Sequence, residues 1–316
     1  MDQHGPAALG SGLRMCPGCG MADPIGCGED LWPHRWVCPH CGAPLATDRG
    51  VVRLAPKLDG TEEGFDADRF EDLAAIEAGH FWFESRNELI CWLFHRHMPA
   101  PRRVLEVGCG TGFVLGALLR VAPEARIAGS ELHANGLMVA RARHGDLVEL
   151  IQMDARAIGL RSVLDVACAF DVLEHIPEDE KVIDQMSQAL RPGGVLMATV
   201  PQHPWLWSEA DEIARHQRRY RMGELPAKLR AAGLEVVYRD SFVSLLLPLM
   251  AVSRLMARAR GRAPTQESRP IEREFEVAPW LNSGLRAVQR LEHSLRRAGL
   301  RLPIGGSQVV VARKPG

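Results

Sequence analysis

The chain has 316 residues, 46% of them hydrophobic and 24% charged, with a formal net charge of −1. That length can bury a large core and suits one large domain with a small one beside it. The proportions are those of a soluble globular protein, and the near-neutral balance excludes bulk charge as a pointer to nucleic acid or an anionic membrane.

Residues 1–13 carry no apolar h-region and no transit-peptide pattern, so the sequence reads as a flexible tail on a cytoplasmic protein. Residues 14–54 are rich in Cys, Gly and Pro. Within them Cys16 and Cys19 form one C-x-x-C pair, and Cys38 and Cys41 another, with eighteen residues between the pairs. Four soft thiolates at that spacing predict a closed tetrahedral zinc site, a zinc ribbon whose metal is structural because no position stays open for water. Cys27, between the pairs, reads as a spare thiol. The scatter of the other cysteines suits reduced thiols rather than a disulfide framework.

Residues 55–100 read as a linker and N-terminal helices. The stretch 57–68 is polar and contains Gly, and from Phe70 to His97 the apolar residues fall at helical spacing. Phe81, Trp82 and Phe83 stand in a row and cannot all face one core. They are either a hydrophobic clamp on the linker or a lid over a ligand, with Arg86 near a carboxylate.

From residue 101 strands and helices alternate: "RVLEVGC" then "GFVLGALLRVA", "ARIAGSE" then "HANGLMVARAR", and onward through "VLDVACAF", "GGVLMATVP" and "LEVVYRD". This alternation implies an α/β fold with a parallel sheet covered on both faces. A loop rich in Trp, His and Arg, 202–222, interrupts it, and its Trp205 and Trp207 are placed to shape a pocket. A helical insertion at about 241–300 interrupts it again. The apolar run 242–256, with Pro248 in its middle, is too short to span a membrane. It reads as a buried or kinked helix, or as a lid or membrane-surface helix. Leu281, Leu285, Val288, Leu291 and Leu295 mark an amphipathic helix, and "SQVVVARK" is a last strand.

The strongest chemical signal is "VLEVGCGTG". A strand runs into Gly108, Gly110 and Gly112, and a helix follows. Glycine lets backbone approach a ligand, and a helix N-terminus supplies free N–H donors. The next strand ends at Glu131, where an acid can take ribose hydroxyls. These features point to a nucleoside ligand.

With Glu106 before the glycines, Glu131, "QMDA" with Asp154, "LEH" and "LRPGGVLMATVP", the stretch from Arg103 to about Asp240 resembles class I S-adenosylmethionine-dependent methyltransferases. The resemblance implies a Rossmann-like seven-stranded sheet whose last strand is antiparallel and inserted late. It implies that Glu106, Gly108, Gly110 and Gly112 line the methionine part of the cofactor, that Glu131 holds the ribose and that Asp154 meets the adenine amino group. The expected reaction is methyl transfer to a hydroxyl of a small molecule, glycan or lipid. A ribbon-bearing RNA methyltransferase is the first alternative, disfavoured because no basic stripe accompanies the ribbon. A non-enzymatic scaffold with a degenerate domain is the second.

One more stretch, "AFDVLEHIP", sets Asp171, Glu174 and His175 where a buried strand should end. On a helical turn the three share a face. With His216 of the following loop they could hold a divalent ion, Mg²⁺ or Mn²⁺. The arrangement resembles the metal site of small-RNA 2′-O-methyltransferases, and its Glu-His part recurs in ubiquinone O-methyltransferases. A bound ion would activate the acceptor hydroxyl. Without one, His175 or His216, beside Glu174, would serve as base. The plainer alternative is that "LEH" shapes the cofactor loop and Asp171 caps a helix.

Overall fold

The computed structural model describes residues 12–259 and 277–316. The part of the 241–300 insertion that falls at 260–276, and the tail 1–11, lie outside the described residues. Small strands come first: β1 (Leu13–Met15), β2 (Ala22–Pro24), β3 (Ala46–Asp48) and β4 (Val51–Arg53). Two helices follow, α1 (Phe70–Glu77) and α2 (Phe81–His97). The alternating region is β5 (Arg103–Val107), α3 (Phe113–Val121), β6 (Arg126–Glu131), α4 (Ala134–His144), β7 (Glu149–Gln152), the short β8 (Leu160–Arg161), β9 (Leu164–Phe170), α5 (Asp179–Ala189) and β10 (Leu190–Pro201). Then come α6 (Glu209–Ile213), α7 (Glu224–Ala231), β11 (Glu235–Phe242), α8 (Leu247–Ala259), α9 (Pro279–Arg297) and β12 (Ser307–Arg313).

Every residue of β9 is buried, as a parallel strand covered by helices on both faces requires. It lies in a nine-stranded sheet of order β11-β12-β10-β9-β5-β6-β7-β4-β3. β4, β7, β6, β5, β9 and β10 run parallel where they pair. β12 slots between β10 and β11, antiparallel to both, with Met197 opposite Val311 and Asp240 opposite Val309. The seven strands and the late antiparallel insertion implied by the resemblance are all present. The two extra strands, β3 and β4, come from the Cys-rich N-terminal region.

That region is stitched to the alternating region at two places, once in the nine-stranded sheet and once in a separate three-stranded sheet of order β2-β1-β8. β4 extends the edge beyond β7, with Val52 opposite Ile151, and β1 pairs antiparallel with β8. Ile25, Leu31, Trp32 and Trp36 are buried in one core cluster with Val52, Leu105, Ile151 and Leu160. The Glu149 carboxylate, at the start of β7, accepts the backbone N–H groups of Leu31 and Trp32. Burial pushes Glu149 up to about 7.

Three local expectations change. The helical pattern 70–97 breaks at 78–80. There Gly79 takes φ 78°, and the His80 side chain accepts the Trp82 N–H at 3.2 Å to start α2. Pro248 sits at the second position of α8, not in its middle. A first turn has no inward N–H bond to lose, so proline fits there without a kink. α8 is also not wholly buried: Leu249, Val252 and Leu255 are more than half exposed. In α9, Leu281 and Leu291 face outward while Gln289, Glu292, His293 and Arg296 are buried. Arg296 donates to Asp240 at 2.8 Å and to Glu292 at 3.1 Å, and Glu292 accepts the N–H groups of Ser244 and Leu245. This helix docks through Leu285 and Val288 and through the polar network around Arg296, and an apolar periodicity reveals only the first of these.

Glu149 makes stability depend on pH. A carboxyl whose folded pKa is raised stabilises the fold below its unfolded value, and that contribution is lost as pH rises through the folded value. Unliganded protein is therefore expected to lose the Glu149 contribution between about pH 4.5 and about pH 7, with little further loss from this group above that. Urea unfolding at pH 5, 6.5 and 8 should show a flatter decline for Glu149→Gln than for the parent.

Candidate active site

In an open parallel sheet the loops beyond the carboxyl ends of the strands meet over one crevice. Here that crevice is a cavity of about 1260 Å³. It exceeds the ~300–1,000 Å³ of ordinary ligand sites, leaving room for a cofactor and a second molecule.

The glycine loop after β5 forms its floor. Gly108, Gly110 and Gly112 have φ of 69°, 50° and 74°, the left-handed region that L side chains resist. A Cβ on Gly108 would lie 2.5 Å from Val172, and one on Gly110 would press on the Phe70 ring at 3.4 Å. Glu131, at the end of β6, accepts the Gly110 N–H at 3.1 Å and the Leu132 N–H at 2.7 Å. Those bonds fix the carboxylate beside the loop, while burial raises its pKa. Glu106 also lines the cavity and is 2% exposed. One of its oxygens has no hydrogen-bond partner among the described residues, and burial pushes its pKa well above the usual range. Asp154 lines the cavity too, but its carboxylate is engaged by Arg156, through the backbone N–H at 2.9 Å and the guanidinium at 2.9 and 3.1 Å. Every residue expected at a cofactor therefore lines this one cavity except Gly112, which lies just behind it, packed toward Ala140.

Phe81, Trp82 and Phe83, at the start of α2, form part of the cavity wall. Arg86 lies under the Trp82 ring, its guanidinium carbon 4.6 Å from the centroid. It donates to Asp171 at 2.8 Å. Trp205 and Trp207 do not line the cavity; its wall in that loop comes from Ala210, Asp211 and 213–217 with Arg219.

"AFDVLEHIP" reaches the cavity as β9 ends. Asp171 takes φ 58°, and Leu173–His175 forms a 3-10 turn. The structure brings together Glu174, His175 and His216, whose ligand atoms all lie within 4.8 Å of one another. Asp171 stands apart, held by Arg86. The two imidazoles meet edge to face at 4.7 Å. The Gln217 N–H donates to the Glu174 carbonyl at 2.7 Å, fastening the loop to the turn.

Asp211 was not among the residues the sequence singled out. It is fully buried. His216 Nδ1 donates to its carboxylate at 2.9 Å, and Arg219 donates to the same oxygen at 2.7 Å. That anchor turns the free Nε2 of His216 toward Glu174, 3.9 Å away. Its only sequence signal is the Ser208-x-x-Asp211 spacing of a capping box, which the structure contains. Both oxygens of Glu174 and Nδ1 of His175 are buried without a partner among the described residues. Burial pushes Glu174 well above the carboxylate range and His175 down to about 3. His175 also faces the Ala214 carbonyl. His216 therefore has one nitrogen anchored by a carboxylate and the other turned to the cluster, the pattern of a metal-ligating imidazole.

A second cluster lies in the N-terminal region. Cys16 and Cys41 sulfurs are 3.8 Å apart, Cys19 and Cys38 sulfurs 3.7 Å, and all four fall within 4.8 Å of one another. Tetrahedral zinc with ~2.3 Å Zn–S bonds places its sulfurs ~3.8 Å apart, so the four-cysteine set fits a zinc ribbon. Cys27 is exposed and outside it.

Together the strand order, the glycine loop and the acid after β6 define the Rossmann-like methyltransferase class. Residues 105–198 match the family model of the methyltransferase domain. A protein of Mycolicibacterium smegmatis described as a probable S-adenosylmethionine-dependent methyltransferase is 31% identical over 166 residues, 50% of this chain and 60% of that one. The chain therefore spans less than two thirds of that relative's length. A ubiquinone biosynthesis O-methyltransferase of Pseudomonas entomophila is 28% identical over 194 residues, 52% of this chain and 83% of that one. Among solved structures, phosphoethanolamine N-methyltransferase 2 of Haemonchus contortus with S-adenosyl-L-methionine overlays with a TM-score of 0.49 at 16% identity, covering 74% of this chain and 53% of that one. Residues 105–198 are thus a methyltransferase domain by the family match, set in a sheet with the strand order of the class I S-adenosylmethionine-dependent fold.

Gly110→Val would force a β-branched residue into positive φ against the Phe70 ring. We expect it to weaken S-adenosylmethionine binding at least ~100-fold, read by calorimetry on folded protein. Unchanged affinity would remove the glycine loop from the cofactor site.

Proposed function

We propose that this protein transfers the methyl group of S-adenosylmethionine to a hydroxyl of a small-molecule, glycan or lipid acceptor. The observation that carries this reading is the cluster of the buried Glu174 with the half-buried His175 and His216, the Glu174 oxygens and Nδ1 of His175 without partners among the described residues, in the same cavity as the glycine loop. The O-methyltransferase names among the relatives support oxygen as the acceptor atom.

On this reading Glu106 and the glycine loop hold the methionine end, Glu131 the ribose and Asp154 the adenine side. The unpartnered oxygen of Glu106 suits a cationic amino group. The acceptor lies across the cavity, where its oxygen must come within about 3–3.5 Å of the methyl carbon, in line with the carbon–sulfur bond. Glu174, His175 and His216 would hold a divalent ion, Mg²⁺ or Mn²⁺, which lowers the pKa of a bound hydroxyl and supplies a nucleophile near neutral pH. Asp211 orients His216. With no ion bound, His216 is the better base of the two histidines, because a pKa of about 3 makes His175 a poor proton acceptor at neutral pH. Arg86 and Asp171 neutralise each other and steady α2 over the acceptor side. The ribbon, residues 14–54, carries a structural zinc.

The apolar face of α8 supports an acceptor with an apolar part. Leu246 and Met250 line the cavity, while Leu249, Val252, Leu255 and Met256 are exposed. Trp280, at the start of α9, is 76% exposed. The stretches 243–259 and 277–291 contain Arg254, Arg258, Arg286 and Arg290 and no acid. That combination suits contact with a membrane surface carrying such an acceptor. No helix among the described residues is long and apolar enough to cross a membrane.

Incubating the protein with methyl-labelled donor and cell extract tests the acceptor class. Label is expected in the organic-solvent fraction; label in RNA would replace this reading with the RNA one. Glu174→Ala and His216→Ala test the cluster once an acceptor is known. Turnover by each is expected to fall ~10²–10⁴-fold, with parent activity rising on titration with Mg²⁺ or Mn²⁺. Metal-independent parent activity would remove the ion, and unimpaired variants would remove the cluster.

A further inference from the structure

The sequence between the ribbon and α1 reads as a linker, yet its structure is a crosspiece over the cofactor end of the cavity. It leaves the sheet at the end of β4, beside the end of β7. There the Leu54 N–H donates to the Gln152 carbonyl at 2.8 Å, and the fully buried Gln152 side chain donates to the Ala55 carbonyl at 2.8 Å. Glu62, Glu63, Gly64, Phe65 and Phe70 then line the cavity opposite the glycine loop and Glu131.

This crosspiece is tied to the loops after β6 and β7 and to the loop that carries His216. Asp59 pairs with Arg53 and accepts the Ala134 N–H at 2.8 Å, at the first residue of α4. The buried His133 accepts the Gly60 N–H at 3.2 Å and contacts the Glu63 carbonyl at 2.8 Å through its other nitrogen. Arg156, beside Asp154, donates to Glu63 at 2.6 Å. Arg215, next to His216, donates to the Glu62 carbonyl at 3.2 Å and to Asp66 at 3.3 Å. Phe65 meets Phe70 at 5.1 Å and His175 edge-on at 6.3 Å. Gly60 and Gly64 both take positive φ, 72° and 73°, which gives the segment two points where it can swing.

We propose that residues 55–70 are a cofactor clasp, anchored at one end by the ribbon's β4 and latched at the other by Arg215. The inference rests on the cofactor assignment above. A bound nucleoside would be walled in by the crosspiece, so it must open for exchange. The ribbon then serves cofactor retention as well as the core. Arg215 and Asp59 are positioning residues that act through the ties holding the wall: Asp59 lies outside the cavity lining, and Arg215 lies in the wall and latches the crosspiece from there.

The test uses full-length, zinc-containing Asp59→Ala, Arg215→Ala and the double variant. S-adenosylhomocysteine affinity is read by calorimetry, its dissociation rate by stopped-flow fluorescence, and the melting temperature of unliganded protein alongside. Affinity in the double variant is expected to fall ~10-fold, carried mainly by faster dissociation, with a smaller loss for Arg215→Ala. Arg215 is a surface residue, so that variant folds even if Asp59→Ala impairs the start of α4. Dissociation and affinity within twofold of the parent in folded Arg215→Ala and in the double variant would overturn the clasp. A parent that binds no S-adenosylhomocysteine would overturn the cofactor assignment and the clasp with it.

Discussion

Parallel pairing of β5 with β6 on one side and β9 on the other is the constraint on which the site depends. Parallel strands must be covered on both faces and joined by crossovers, so their carboxyl ends all deliver loops to the same edge. Glu106 and the glycine loop leave β5 there, Glu131 leaves β6, and Asp171 to His175 leave β9. The three strand ends lie far apart in sequence. A one-residue slip in β5 would turn Glu106, and one in β6 Glu131, to the opposite face.

The same edge concentrates buried acid. Glu106, Glu131 and Glu174 all have raised pKa values, with burial as the leading cause. The nearby Arg86 and Arg219 are committed to Asp171 and Asp211. Burying carboxyl groups without a counter-charge is costly, and a cationic ligand relieves that cost. A sulfonium, an ammonium group and a divalent ion are all cations. The electrostatics of the cavity therefore agree with the proposed occupants in sign, though sign alone selects no particular acceptor.

The Cys-rich region is part of the same construction. Its β4 satisfies the open edge of β7, and an exposed sheet edge is otherwise a hazard for association. Its Trp32 is buried in the core cluster of the sheet, and Glu149 reaches back to its backbone. On the far side, α9 is held by Arg296, Asp240 and Glu292, buried charges that pair with one another as burial demands. The sheet is thus extended beyond β7 by β3 and β4, and α9 is tied to β11, neither of which a minimal alternating fold has.

The sequence by itself determined the alternation of strands and helices, the turn glycines and the spacing of the Cys pairs, because those follow from local conformational preference and donor chemistry. It also located Glu106, Glu131 and the Glu174–His175 turn by their positions at strand ends. Only the tertiary structure decided which side chains meet. Asp171 turned to Arg86 because a positive φ at the end of β9 aims it toward α2, not toward Glu174. Asp211 emerged as the anchor of His216 because a short helix in a long loop folds back on itself. The crosspiece 55–70 carries no apolar periodicity, so nothing in it distinguishes a linker from a wall. Its place is fixed by hydrogen bonds to residues 70 or more positions away, which local sequence cannot encode.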